Sequence, residues 1–150
     1  MLNLTLLQQG RRMYAHTIAD LSTEQLLKIP PGFKNNILWN VGHVVVAQQM
    51  ICYRLSSVPM YVDDALVAQF KNGTSPETWS ETPDIDRIKG LLLDLPDRFV
   101  ADYEAGKFTA YHTYTTSTGV ELDSFDKGTA FNLFHEGLHL GVIMALKKLV

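Results

Sequence analysis

The stretch from Asn36 to about Leu55 constrains the fold more than any other, because as a helix it is apolar on two stripes at once. Ile37, Val41, Val44, Ile51 and Leu55 form one stripe, and Trp39, His43, Val46, Met50 and Tyr53 form the other. The segment holds no proline and one glycine, and Asn35-Asn36 supplies an N-cap at its start. A helix with two apolar stripes is buried on most of its sides, so other helices have to surround it.

The surrounding elements follow from the same periodicity. Leu4, Leu7, Tyr14, Ile18 and Leu21 recur at steps of three and four, with Arg11 in the one polar slot of the stripe, which predicts an amphipathic helix over the first twenty residues. Ser22-Thr-Glu-Gln25 has the form of a capping box, and a short helix should follow it and stop before Pro30-Pro31-Gly32. From Ser56 to Pro83 the chain is punctuated by Pro59, Gly73, Pro76 and Pro83, with room for a short helix near Asp63 to Phe70; this reads as a crossover within one domain.

Thr82-Pro83-Asp84 predicts an N-cap, a first helical position and an acidic first turn. The helix they open runs through Ile85, Ile88, Leu91, Leu92, Leu95 and Phe99, with Pro96 expected to kink or break it. Residues 106–121 are rich in Thr and Tyr and turn at Gly119, which suggests an extended loop or a short hairpin. A last helix is expected from about Ser124 to Leu149, with Lys147-Lys148 suiting its negative end. Four main helices with long connections after the second and third predict an all-α four-helix bundle, one domain spanning 1–150.

Bulk composition excludes several classes. A 46% hydrophobic content supports one sizeable core, while a net charge of −3 without a cluster of Lys and Arg argues against nucleic acid. No run approaches the length of a membrane-spanning helix. Cys52 stands alone and forms no internal disulfide, and the charges of Arg11 and Arg12 follow the first apolar stretch rather than precede it, unlike a secretory signal. A cytoplasmic protein is expected.

The pointed chemistry lies in the last helix. His135 and His139 are four residues apart, so their Cβ atoms lie roughly 5–6 Å apart on one helix face and two imidazoles can reach one cation. They share a stripe with Phe131, Val142 and Leu146. His43, at the middle of the buried helix, is the best third ligand, because an unpartnered buried polar group costs about 1–3 kcal/mol and three inward histidines call for a common partner. A lone histidine on an apolar face is more often a hydrogen-bonded core residue; the spacing and the third arm weigh against that here. His16 falls off its helix's apolar stripe and His112 lies in the Thr-rich segment, so both are expected at the surface.

The same letters satisfy H-E-x-x-H, in which Glu136 would act as general base of a zinc hydrolase. Such enzymes usually take a third ligand downstream, yet none of Leu140 to Val150 is His, Glu or Asp, so a metalloprotease is disfavoured.

Taken together, Asn36-Ile-Leu-Trp-Asn-Val-Gly-His43, the exit Tyr53-Arg-Leu-Ser-Ser-Val-Pro59 and Phe134-His-Glu-Gly-Leu-His-Leu-Gly141 resemble the DinB-like (DinB/YfiT) superfamily of small metal-binding bundles over most of the chain. The resemblance implies an up-up-down-down bundle with long crossovers. It also implies a divalent metal, nickel or zinc first and iron, cobalt or manganese after them, held by His43, His135 and His139. Relatives include S-transferases and isomerases that use low-molecular-weight thiols such as bacillithiol or mycothiol. The leading expectation is therefore a metal-dependent transferase or hydrolase with a small-molecule substrate. Glu136, Asn40 and Asn132 flank the ligands as base or supporting groups. The alternative is a non-catalytic metal-binding or structural bundle; a homodimer is expected in either case.

Overall fold

The computed structural model describes residues 4–150; residues 1–3, on which the expectations for the start of the chain partly fall, lie outside them. The doubly striped segment forms α3, Ile37–Gln48, and every residue of it is buried. Asn36 caps it, its side-chain oxygen accepting from the amide of Trp39 at 2.7 Å. The helical path continues to Ser56, but through a π turn at Gln49–Tyr53 and a 3-10 turn at Arg54–Ser56, where the periodicity had predicted regular α-helix to Leu55.

The other long helices are α1 (Leu4–Ile18), α5 (Ile85–Glu104) and α6 (Phe125–Leu146), and α1 and α3 each pack against both α5 and α6. Two short helices, α2 (Thr23–Leu27) and α4 (Asp64–Phe70), decorate the connections. The Ser22–Gln25 capping box forms as expected, and Asp63 caps α4. One correction concerns α5: its cap is Asp84, not Thr82, because the Asp84 carboxylate reaches the amide of Arg87 at 2.9 Å and Pro83 is left outside the helix. A second concerns Pro96, which does not end α5; it is buried, and the helix runs on for two turns beyond it to Glu104.

Side-chain pairings give the helix directions. Arg11 meets Glu136, and Lys147 meets Thr17 and Asp20, so α1 and α6 run parallel. Asn40 meets His139 and His43 meets His135, so α3 runs antiparallel to α6 and hence to α1. Gln8 pairs with Asp97 and Tyr53 with Asp102, which sets the C-terminal half of α5 at the end where α1 begins and α3 finishes. The order is up-down-down-up, which corrects the up-up-down-down expectation. Residues 19–36 make one reversal at the top and 105–124 another at the bottom, leaving only the 57–84 segment to traverse the bundle.

The expected hairpin is present as β1 (Tyr114–Thr115) paired antiparallel with β2 (Glu121–Leu122), Tyr114 opposite Leu122, with Gly119 turning the chain at φ +82°. No helix among the described residues is long and apolar enough to cross a membrane.

Candidate metal centre

The antiparallel contact of α3 with α6 brings three imidazoles together. Nε2 of His135 lies 3.2 Å from Nε2 of His43 and 3.2 Å from Nε2 of His139. The ligand atoms of the three residues all fall within 4.8 Å of one another, and the group could hold a metal ion. His43 is buried and the other two are half-buried.

Hydrogen bonds on the far side of two rings fix where the protons sit. Nδ1 of His43 donates to the carbonyl oxygen of Phe70 at 2.7 Å, and a carbonyl can only accept. Nδ1 of His139 donates to Oδ1 of Asn40 at 2.8 Å, the Asn40 amide being oriented by its own Nδ2, which donates to the Asn36 carbonyl at 2.7 Å. In each neutral ring the proton is thus on Nδ1, and Nε2 presents a lone pair toward the other rings. Nδ1 of His135 is buried with no hydrogen-bond partner among the described residues.

Burial, above all, pushes the His43 imidazole below its ordinary range, against a smaller opposing effect of the Phe70 carbonyl. His135 is pushed down to about 4 by burial, with added repulsion from His43 and Arg11. His139 is pushed down to about 3 by burial and by the two neighbouring rings. All three are neutral near pH 7, the form that ligates a metal. The lone pairs of His43 and His139 both point at Nε2 of His135, and a single proton on that atom can serve only one of them, whereas one cation among the three serves all. A tetrahedral ion with metal–nitrogen bonds of about 2.0–2.1 Å sets ligand nitrogens roughly 3.3 Å apart, close to the 3.2 Å that separates His135 from each of the other two.

The local sequence explains the placement. Trp39 stacks on His43 with ring centroids 4.6 Å apart and planes 10° from parallel. Phe70 fits against α3 because residue 42 is glycine: a Cβ there would run into the Phe70 ring. The same approach delivers the Phe70 carbonyl to His43. Neither Gly42 nor Phe70 stood out as a site residue in the sequence, although a glycine inside an otherwise buried helix, one position before a histidine, was the available signal.

Glu136 sits elsewhere. It is 4% exposed and turned toward α1, where Nε and a terminal nitrogen of Arg11 each donate to it at 2.8 Å, and Asn132 donates at 2.7 Å. Arg11 also donates to the Val44 carbonyl at 2.9 Å, and Tyr14 to the backbone carbonyl of Glu136. The charge in the polar slot of α1 is fully buried, needs an anion, and takes both carboxylate oxygens of the residue expected as general base. Asn132 supports Glu136 rather than a ligand, whereas Asn40 does hold one. His16 and His112 are exposed, as expected.

His43 and His135 also open onto a cavity of about 320 Å³. One face of α3 and its extension lines it through Val46, Met50, Ile51 and Arg54; Phe131, Lys71 and the hairpin residues Thr116–Thr118 complete the wall. Its size is at the lower end for small-ligand pockets.

Among curated proteins, none matches this chain. The family model of the DinB superfamily matches residues 6–143, and that span includes all three histidines, the whole of α3 and most of α6. The chain belongs to the DinB superfamily.

Proposed function

We propose that the protein is a metal-dependent enzyme acting on a small molecule, of thiol S-transferase or hydrolase type, with His43, His135 and His139 as ligands of one divalent ion, nickel or zinc. The observation that carries this reading is the convergence of three Nε2 atoms, those of His43 and His139 with their lone pairs free, beside a ligand-sized cavity that His43 and His135 line. A bound ion would lower the pKa of a coordinated thiol or water and so supply a nucleophile near neutral pH. The residues present would do the rest of the work. The Phe70 carbonyl and Asn40 hold two imidazoles in the ligating tautomer, Trp39 and Phe131 wall the rings, and the apolar cavity positions the substrate body and limits water.

Glu136 has no part in this chemistry, which leaves the hydrolysis of a peptide by an H-E-x-x-H mechanism without its base. The proposal is tested by loading the protein with zinc or nickel and offering low-molecular-weight thiols with epoxide, halide or maleyl-type acceptors. Turnover that depends on metal and disappears in His135→Ala is expected; no turnover with any pair removes the transferase reading.

A second reading, a non-catalytic homodimeric bundle, is favoured by the outer face of α6, where Phe134, Leu138 and Met144 are 62%, 55% and 52% exposed. Sedimentation of the wild type beside Phe134→Glu separates the two: a dimer that dissociates on substitution supports assembly, and metal-dependent turnover decides whether it is also an enzyme. A cytoplasmic location is part of the same proposal.

A further inference from the structure

The charge on the cavity wall opposes the charge of the chain. The protein carries a net charge of −3, yet the described residues lining the cavity include Arg54 and Lys71 and no carboxylate. Arg54 stands at the far end of the α3 face from His43. The eleven residue steps from one to the other amount to roughly 16 Å of helix, a span that the reach of the arginine side chain shortens. The wall between is apolar: Val46, Ala47, Met50 and Ile51.

Neither cation is consumed by the fold. Among the described residues the guanidinium of Arg54 has Asp64 as its one ion-pair partner, at 3.4 Å, and that carboxylate is 96% exposed, a pairing of little strength in water. Lys71, at the end of α4, has no ion-pair partner for its ammonium among the described residues. Across the mouth the Thr116 hydroxyl is already engaged within the hairpin, meeting Thr118 and accepting from the Val120 amide. These bonds brace the hairpin, whose hydroxyl-bearing residues Thr116, Ser117 and Thr118 line the same cavity as the two cations.

The geometry points to a substrate that is an elongated organic anion: an oxyanion head held between Arg54 and Lys71, an aliphatic body along Val46, Met50 and Ile51, and a reactive end presented to the histidine triad. This inference deepens the proposed function and rests on it for the identity of the reactive end. The head is recognised because a planar guanidinium pairs with an oxyanion through two donors, and a low-dielectric wall strengthens the attraction. The same two cations disfavour a ligand with a positive tail.

The test titrates the protein as purified with hexanoate, hexanol and hexylammonium, following the Arg54 Nε–H and Thr116 amide signals by ¹⁵N NMR, with metal content measured on the same samples. Hexanoate is expected to bind at least about tenfold more tightly than hexanol, with hexylammonium weakest. In the double variant Arg54→Gln/Lys71→Gln the preference should fall below about twofold while metal content is unchanged, and Arg54→Lys/Lys71→Arg should retain it. Equal binding of hexanoate and hexanol, or a preference that survives the Gln substitutions, overturns the inference. A preference that is intact in protein holding no metal upholds the anion rim and removes the triad reading alone.

Discussion

Two buried polar clusters lie on two sides of α6, and they are resolved in opposite ways. On the side facing α1, Glu136 meets a bidentate Arg11, Asn132 adds a donor, and the charges cancel within the protein. On the side facing α3, the outer nitrogens of His43 and His139 are held by the Phe70 carbonyl and Asn40, that of His135 has no partner among the described residues, and the three inner nitrogens meet each other. Burying polar groups is unfavourable unless they are partnered. The first cluster has its opposite charges paired within the chain, although Nη1 of Arg11 and Oδ1 of Asn132 find no partner among the described residues, and it is scaffold. The second could hold a cation, and it borders the cavity of about 320 Å³.

The largest effect expected from this contrast is on the scaffold side. Arg11→Met leaves the Glu136 carboxylate buried without a counter-charge and should cost about 3–5 kcal/mol of stability, read by urea denaturation. Arg11→Met/Glu136→Leu should recover much of it, and Glu136→Gln should leave the metal stoichiometry of the folded fraction intact. A Glu136→Gln protein that folds normally but binds no metal would merge the two clusters and end the comparison.

Next in size is Gly42→Ala. The added methyl must displace the Phe70 ring, so about 1–3 kcal/mol of stability should be lost through overpacking. Metal affinity should fall as well, because the carbonyl that orients His43 moves with the ring. Asn40→Ala should leave the fold nearly intact and weaken metal binding by about 10–100-fold, the usual effect of removing a group that orients a ligating histidine. Competition of each variant against a chromogenic chelator measures both; unchanged affinity in Asn40→Ala would show that His139 needs no support.

A separate effect is a pH dependence of the metal-free protein. His135 and His139 are depressed to about 4 and about 3, mainly by burial, so the unfolded chain takes up their protons near pH 6.5 while the folded chain does not. Their contribution to stability is fully present above pH 6.5 and is lost as the pH falls toward 4 and then 3. Urea midpoints measured over that window should decline, and the decline should be shallower in His135→Ala/His139→Ala.

Local features were legible in the sequence wherever the physics is local. The Ser22–Gln25 box, the Asn36 cap and the i,i+4 histidine pair each depend on residues within one turn, and His43 was placed by the stripe it shares with Trp39 and Val46. What the sequence did not disclose depends on contacts across the chain. Arg11 and Glu136 are 125 residues apart, and nothing in either segment names the other. Phe70 contributes a backbone carbonyl, which carries no residue signature. The direction of α3 against α1 depends on how residues 19–36 fold back, a matter of packing rather than of periodicity. Pro96 shows the limit of a local rule, since a buried position in a well-packed helix tolerates the lost hydrogen bond.

The central claim is that the α3 side of α6 is a three-histidine cation site. Its most direct test is the metal content per chain after equilibrium dialysis against zinc or nickel, compared between the wild type and His43→Ala. The account predicts one divalent ion per wild-type chain and a large loss of it in His43→Ala, whose ligand comes from a different helix than the other two. Equal metal content in the two proteins, or none in either, would contradict it.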